Sequence, residues 1–381
     1  MLRDSLGIQL LDLGSSPFES GAAWRVGTEP ILSIGLTSGP ATHELHDVVM
    51  ARRLVDGSIV IANAGTAELR VYGEAGDVVR SIGGPGEGPG EFRSLSWLQV
   101  LAPDTLMVVD ADLRRVTAFD TMGQLQWTTA IPSGSVPVPG DARLDDGSIV
   151  FLWDGEDVWQ RVLNGTTPPG RTDRNTASLV HYGRDGLLLD TLARFPGNEE
   201  AVILSEGRPA TTFPPWGRIT TYAVAGSRIF IGSQDDGEVV AYHGDGRLSI
   251  VIRWPTGDLS ITSDALDRYS APLLDRAGED TLARSAIVSR MKSVPHPDRL
   301  PAYGRVILDS EALLWVSERH GPFSEPTRWT VIRPGTGVVG AVTMPNDFRL
   351  FEAGRDYVLG RGTDELGVES VELLRLDRGG A

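Results

Sequence analysis

The chain has 381 residues, 41% of them hydrophobic, with 51 acidic against 35 basic side chains and a formal net charge of −16. That length and apolar content suffice for one large domain or two ordinary ones with a buried core, and so acidic a balance excludes the basic footprint that nucleic acid or an anionic lipid surface requires. Without a single cysteine there is no disulfide, thiol nucleophile or thiolate-bound metal, and no apolar run approaches the roughly 18 residues of a membrane span.

The opening, MLRDSLGIQLLDLGSSPFES, has neither the basic start nor the apolar stretch of a secretory leader. An extracytoplasmic (periplasmic or secreted) location therefore requires that a signal peptide was trimmed. Residues 1–29 read as an N-terminal extension in which Ile8 to Leu13 forms an extra edge strand. Pro30 to Leu45, PILSIGLTSGPATHEL, matches Val79 to Leu95, VRSIGGPGEGPGEFRSL, in its strand, glycine break, Gly-Pro pair and acidic-apolar ending. The match predicts that Ile31 to Gly35 is the outer strand of the last structural unit.

Between these ends one pattern recurs. Pro103 to Leu125 carries a continuous apolar run, a polar elbow, an alternating run and a glycine turn, the order strand, elbow, strand, hairpin. The apolar run returns as DGSIVIAN from Asp56, DTLMVVD from Asp104, DGSIVFLW from Asp146, GSRIFIG from Gly226, EALLWVS from Glu311 and RDYVLG from Arg355. The alternating run and its turn return as segments ending at Gly76, Gly123, Gly186, Gly246, Gly337 and Gly379. A pitch of roughly 45 residues suits a four-stranded propeller blade. The expected fold is all-β: a single six-bladed β-propeller domain over 1–381, closed by the N-terminal strand so that no sheet edge is left free. A partly helical insertion, 255–301, separates blades 4 and 5.

The long segments Asp154–Ala177, Phe195–Pro215, Trp254–Pro301 and Glu318–Thr327 all fall between second and third strands or between blades, which places them on one face. Repeat proteins commonly bind on the face that carries such insertions. Within the third of these, Thr262 and Ser263 can cap a helix over Asp264 to Asp275, kinked by Pro272, and a second helix runs from Asp280 to Lys292. Trp159 and Trp216 fall on this face among Arg161, Arg171, Arg174, Arg208 and Arg218. Aromatic faces beside guanidinium groups suit sugars, aromatic ligands and carboxylates. Together with Tyr303, Arg319 and His320, the residues Trp159, Arg161, Trp216 and Arg218 make the candidate ligand set, while Trp97, Trp127, Trp153, Trp254, Trp315 and Trp329 read as core.

First strands line the axis, and their upper ends bring Asp47, Asp141, Asn346 and Asp347 toward the channel mouth. These oxygen donors form a candidate calcium site. The glycine-rich run Gly83 to Gly90 is not a phosphate cradle, because a strand follows it and Glu87 and Glu91 would repel an anion. Asp110 and Arg115 read as a structural ion pair at the blade elbow. Gly-x-Ser-x-Gly, His-Glu-x-x-His and nucleotide fingerprints are absent.

Val108 to Gly123, VVDADLRRVTAFDTMG, resembles an NHL-type repeat, and Ser81 to Phe92, SIGGPGEGPGEF, resembles the crossover of a bacterial six-bladed β-propeller family related to NHL-repeat proteins. Leu300–Glu318 and Asp364–Arg378 are similar to that family's later blades. The resemblance implies an extracytoplasmic propeller, and the likeness to propeller lactonases and phosphotriesterases implies that a metal at the channel mouth is conceivable chemistry. The resulting expectation is a monomeric, extracytoplasmic ligand-binding propeller. It takes a small molecule, glycan or peptide on the inserted face over blades 3 to 5. The competing expectations are a metal-dependent hydrolase, lactonase or lyase at the channel mouth and a ring that binds protein only.

Overall fold

The computed structural model describes residues 2–5, 7–35, 44–101, 105–130, 135–138, 148–155, 157–183, 187–319, 327–364 and 366–379. Their strands form six sheets. Blade 1 consists of Val48–Arg53, Ile59–Asn63, Glu68–Tyr72 and Val78–Gly83, and blade 2 of Leu95–Leu101, Thr105–Asp110, Arg115–Asp120 and Leu125–Ala130. Blade 3 contains Ser135–Val138, Ile149–Gly155, Arg171–Tyr182 and Leu188–Ser205, with Arg208–Thr212 as a fifth strand. Blade 4 is Thr221–Ala225, Arg228–Gly232, Glu238–His243 and Leu248–Arg253, blade 5 is Val306–Leu308, Leu314–Ser317, Arg328–Arg333 and Gly337–Thr343, and blade 6 is Arg349–Ala353, Tyr357–Thr363 and Glu369–Asp377.

The outer strand of blade 6 is Arg25–Ile34, antiparallel to Glu369–Asp377 with Ile34 opposite Val371. Blades 6 and 1 are joined directly: the Val48 amide donates to Glu369 Oε2 at 2.7 Å, and Arg361 Nη1 donates to the Val48 carbonyl at 3.1 Å. Ile8–Asp12 runs parallel to Leu248–Arg253 on the outside of blade 4, and Leu2–Ser5 pairs outside it in turn.

Burial explains which runs become which strands. Second strands such as Ile59–Asn63 are buried at every position because blades pack on both their faces. Outer strands alternate, as in Leu125–Ala130, since one side meets water. The main apolar cluster runs through blades 6, 1, 2 and 3, where Leu359, Met50, Ile61, Trp97, Val108 and Phe151 are all buried. Hairpin chemistry follows the expected rule at Asp120–Gly123: Asp120 Oδ1 accepts from the Met122 and Gln124 amides, and Gly123 holds φ +86°.

A recurring clasp fixes one end of blades 1, 2, 4 and 5. A polar side chain ending the second strand accepts a hydrogen bond from the backbone that enters the first. Asn63 Oδ1 takes the His46 amide (2.8 Å), Asp110 Oδ2 the Arg93 amide (2.7 Å), Gln234 Oε1 the Ile219 amide (2.7 Å) and Ser317 Oγ the Arg305 amide (2.8 Å). All four acceptors are buried, so in each case a backbone amide satisfies a side-chain oxygen that would otherwise be left unpaired in the interior. Asp110 also takes the Leu113 amide, while Arg115 donates to the carbonyls of Glu87, Gly88 and Glu91. The NHL-like pair thus acts largely on backbone: its acid caps the elbow, and its arginine ties down the glycine-rich crossover.

The insertions of blade 3 are built differently from free loops. Arg171 to Thr176 pairs with Pro196 to Val202, so the two inserted segments extend the blade's own third and fourth strands, and a short helix α1 (Asp157–Leu163) packs Val158 and Val162 against Val202. Between blades 4 and 5 stand α2 (Ser263–Arg276) and α3 (Thr281–Ser293). Thr262 caps α2 through the Ala265 amide, Asp280 caps α3 through the amides of Leu282 and Ala283, and Pro272 lies inside α2.

Candidate functional site

On the inserted face, the junction of blades 3 and 4 is a charged network. Arg218 meets Glu199 through two parallel bonds, Nε to Oε2 at 2.9 Å and Nη2 to Oε1 at 3.0 Å. Arg218 Nη1 and Arg174 Nη1 share Asp235 Oδ1, at 2.8 and 2.6 Å, and Arg174 also donates twice to the Gly197 carbonyl. The bonds to Glu199 hold the Arg218 guanidinium up, whereas burial pushes that of Arg174 down. Glu199 is only 2% exposed, so losing either partner would strand a charge in the interior. Nearby, Arg161 Nε pairs with Asp173 Oδ2 at 2.8 Å, and its Nη2 donates to the Arg174 carbonyl at 2.7 Å. Arg161 and Arg218, expected as ligand contacts, are therefore committed to holding the insertions on the ring.

Asp154, at the end of the second strand of blade 3, occupies the most perturbed carboxyl position. Burial pushes it up to about 6 against the Asn198 amide that donates to its Oδ1 at 2.9 Å, with the Glu200 charge adding to the rise.

The predicted aromatic residues do not share a pocket. Trp159, half-buried on α1, packs beside Val158, Val162 and Val202. Trp216 belongs to the other insertion: its Nε1 donates to the Ala265 carbonyl at 3.3 Å, and its ring meets Tyr269 edge-on with centroids 5.3 Å apart. It docks α2. Tyr303, expected as a ligand contact, is fully buried; its hydroxyl donates to the Glu238 carbonyl at 2.9 Å and accepts the Gln234 amide at 3.2 Å. That corrects its role to a core strut, since neither face nor hydroxyl remains for a ligand. Trp153 is likewise core, stacked on Phe151 at 5.2 Å.

Arg319 does face open space. It lines a cleft of about 330 Å³ with Glu318, Phe18, Trp254, Leu259 and Ala302. Its walls come from blades 4 and 5, the start of the helical insertion and the N-terminal extension. Phe18 was not foreseen, because nothing in a single sequence places residue 18 beside residue 319. His320 lies outside the described residues.

Asp47 and Asp347, expected at the channel mouth, both take the left-handed conformation, at φ 54° and 55°, and with Asn346 they are exposed. Asp141 lies outside the described residues. Among the described residues no three His, Asp or Glu side chains gather as a metal ion would require. The charge of Asp47 acts instead on Arg349.

Residues 46–154 match the model of the DUF5128 family, described as a 6-bladed beta-propeller, a span that includes both motifs behind the NHL-like resemblance. No protein of curated function matches the chain. Among solved structures, a member of the DUF4221 family from Bacteroides vulgatus superposes with a TM-score of 0.55 at 10% identity, over 94% of this chain and 100% of that one. A protein from Bacteroides fragilis, named as a candidate exported protein, gives 0.52 at 14% identity over 96% and 98%. The calcium-binding protein regucalcin from Agrobacterium tumefaciens is more distant, with 0.44 at 10% over 94% and 97%. At these identities the likeness concerns the fold: the chain is a six-bladed β-propeller. None of the helices among its described residues is long and apolar enough to cross a membrane.

Proposed function

We propose that this protein is an extracytoplasmic ligand-binding propeller that takes a small molecule, glycan or peptide in the cleft between blades 4 and 5 on its inserted face. One observation carries the reading. The cleft of about 330 Å³, largely polar in its lining, brings the Phe18 ring together with the oppositely charged pair Glu318 and Arg319. Its size falls within the range of small-molecule sites, and charged groups beside an aromatic ring can orient a polar ligand there. The rigid ring supplies the walls, and the insertions supply the variation.

The test is a melting-temperature screen of oligosaccharides, short peptides and carboxylated small molecules, repeated with Arg319→Ala and Phe18→Ala. A ligand at 100 times its Kd stabilises the folded state by about 2.7 kcal/mol, enough to register. Both substitutions are expected to abolish the shift; Arg319→Ala should leave the unliganded melt in place, whereas Phe18→Ala, whose ring packs on the core, should lower it. A ligand whose shift survives both would remove the cleft as its site.

A further inference from the structure

The interior of the ring has a charge opposite to that of the chain. Blade 6 contributes Arg349 and blade 5 contributes Arg305, each at the point where the inner strand begins, and Arg52 lies on the inner strand of blade 1. The inner strand of blade 6 bulges between Leu350 and Glu352, and its consecutive carbonyls are taken by arginines of the two flanking blades: Arg305 Nη1 donates to Leu350 at 3.0 Å, and Arg52 Nη1 to Phe351 at 2.6 Å. Arg52 places its remaining donors on Gln99 Oε1 of blade 2, at 2.9 and 3.0 Å. Four blades thus converge here.

Two of these guanidinium groups are left with donors to spare. Arg305 gives its side chain to one carbonyl, and Arg349 makes no hydrogen bond or ion pair among the described residues; its only contact of that kind is with the Phe351 ring, 5.7 Å from the guanidinium carbon to the centroid. Both residues stand where the inner strands of blades 5, 6 and 1 meet, as the bonds from Arg305 to Leu350 and from Arg52 to Phe351 show, and solvent reaches Arg349 freely and Arg305 in part. Burial, then the charges of Arg349 and Arg52, pushes Arg305 down to about 9. No carboxylate offsets this at Arg305, whereas Arg361 next to Arg349 is paired with Glu369 at 2.8 Å. Such crowding of cations costs free energy, and a bound anion would recover it.

We propose that the axial channel holds a free inorganic oxyanion of the phosphate or sulfate type between Arg305 and Arg349. A guanidinium presents a planar fork of donors that matches two oxygens of such an ion, and two forks in a lumen of low dielectric bind it more strongly than exposed lysines would. The chain's net charge of −16 disfavours diffuse anion binding, so an anion held here depends on the local arginine pair. The site is independent of the cleft beside Arg319, so either can fail alone.

The experiment uses the full chain in thermal melts and calorimetric titrations with sodium phosphate and sodium sulfate, against sodium chloride at matched ionic strength. Phosphate or sulfate is expected to raise the melting temperature beyond chloride and to bind with one-to-one stoichiometry. Arg349→Gln and Arg305→Gln should each weaken that binding about tenfold or more, the loss of a charge-assisted hydrogen bond. Unliganded Arg349→Gln should melt close to the wild type, because its side chain makes no hydrogen bond or ion pair among the described residues. Arg247→Gln, a surface arginine paired with Asp245, should bind as the wild type does. Equal stabilisation by chloride, undiminished binding in both channel variants, or an equal loss in Arg247→Gln would each overturn the proposal.

Discussion

Replacing Asp154 by Asn should make this protein more stable at neutral pH and leave it unchanged in acid. Asp154 is 5% exposed, and its carboxyl is pushed from an ordinary 3.8 up to about 6, chiefly by burial. The folded state therefore holds this proton more tightly than the unfolded chain does. Below about pH 3.8 both states are protonated and the residue costs nothing; as pH rises toward 6 the ionised form is increasingly disfavoured in the fold, and above 6 the whole cost is present. At 1.36 kcal/mol per pH unit that cost is about 3 kcal/mol. Asparagine retains an oxygen to accept the Asn198 amide, now bonded at 2.9 Å. It also brings a donor beside Asn198, whose buried Oδ1 has no partner among the described residues. Urea denaturation of both proteins from pH 4 to pH 8 should show a difference near zero at the acid end, growing to about 1–3 kcal/mol in favour of the variant by pH 7.5. Effects of other titrating groups cancel in the comparison. A difference that does not change with pH, or a variant that is the less stable at pH 7.5, would refute the assignment of a buried, disfavoured carboxylate.

Two further substitutions test the structural roles that displaced ligand contacts. Tyr303→Phe removes a hydroxyl that serves the Glu238 carbonyl and the Gln234 amide, and should lower stability by about 1–3 kcal/mol in chemical denaturation; an unchanged midpoint would mean that the hydroxyl is dispensable. Trp216→Ala deletes the bond to the Ala265 carbonyl and the edge contact with Tyr269. Limited proteolysis should then cut within α2 and α3 well before the ring, whereas a cleavage rate equal to the wild type's would show that α2 is anchored elsewhere.

Much of the fold was legible from local pattern. The buried runs beginning near Asp56, Asp104, Gly226, Glu311 and Arg355 are second strands, because a strand covered on both faces has to be apolar throughout. The helices at 263–276 and 281–293 were legible, the first with its cap at Thr262, while Asp280, read as the opening residue of the second, is its cap. Even the edge strand near Ile8 was visible as an isolated apolar run. Less legible was blade 3, where the segments around Arg171 and Val202 pair with each other across residues that carry no mutual signal. Neither the helix α1 that precedes them nor the strand Arg208–Thr212 was expected.

The candidate sites divide along the same line. Sequence alone determined the order of strands and insertions, from which the arginines and tryptophans were expected on the inserted face and the carboxylates near the axis, since repeat position dictates where a residue falls around the ring. Tertiary structure decided which of them are free. Glu199 and Asp235 claim Arg218, Asp173 claims Arg161, and the interior closes over Tyr303, while Arg319 is left on a cleft and Arg349 on the channel. Those outcomes depend on contacts between residues tens to hundreds of positions apart. The charge and burial at each contact, which decide whether a side chain is structural or available, exist only once the blades have come together.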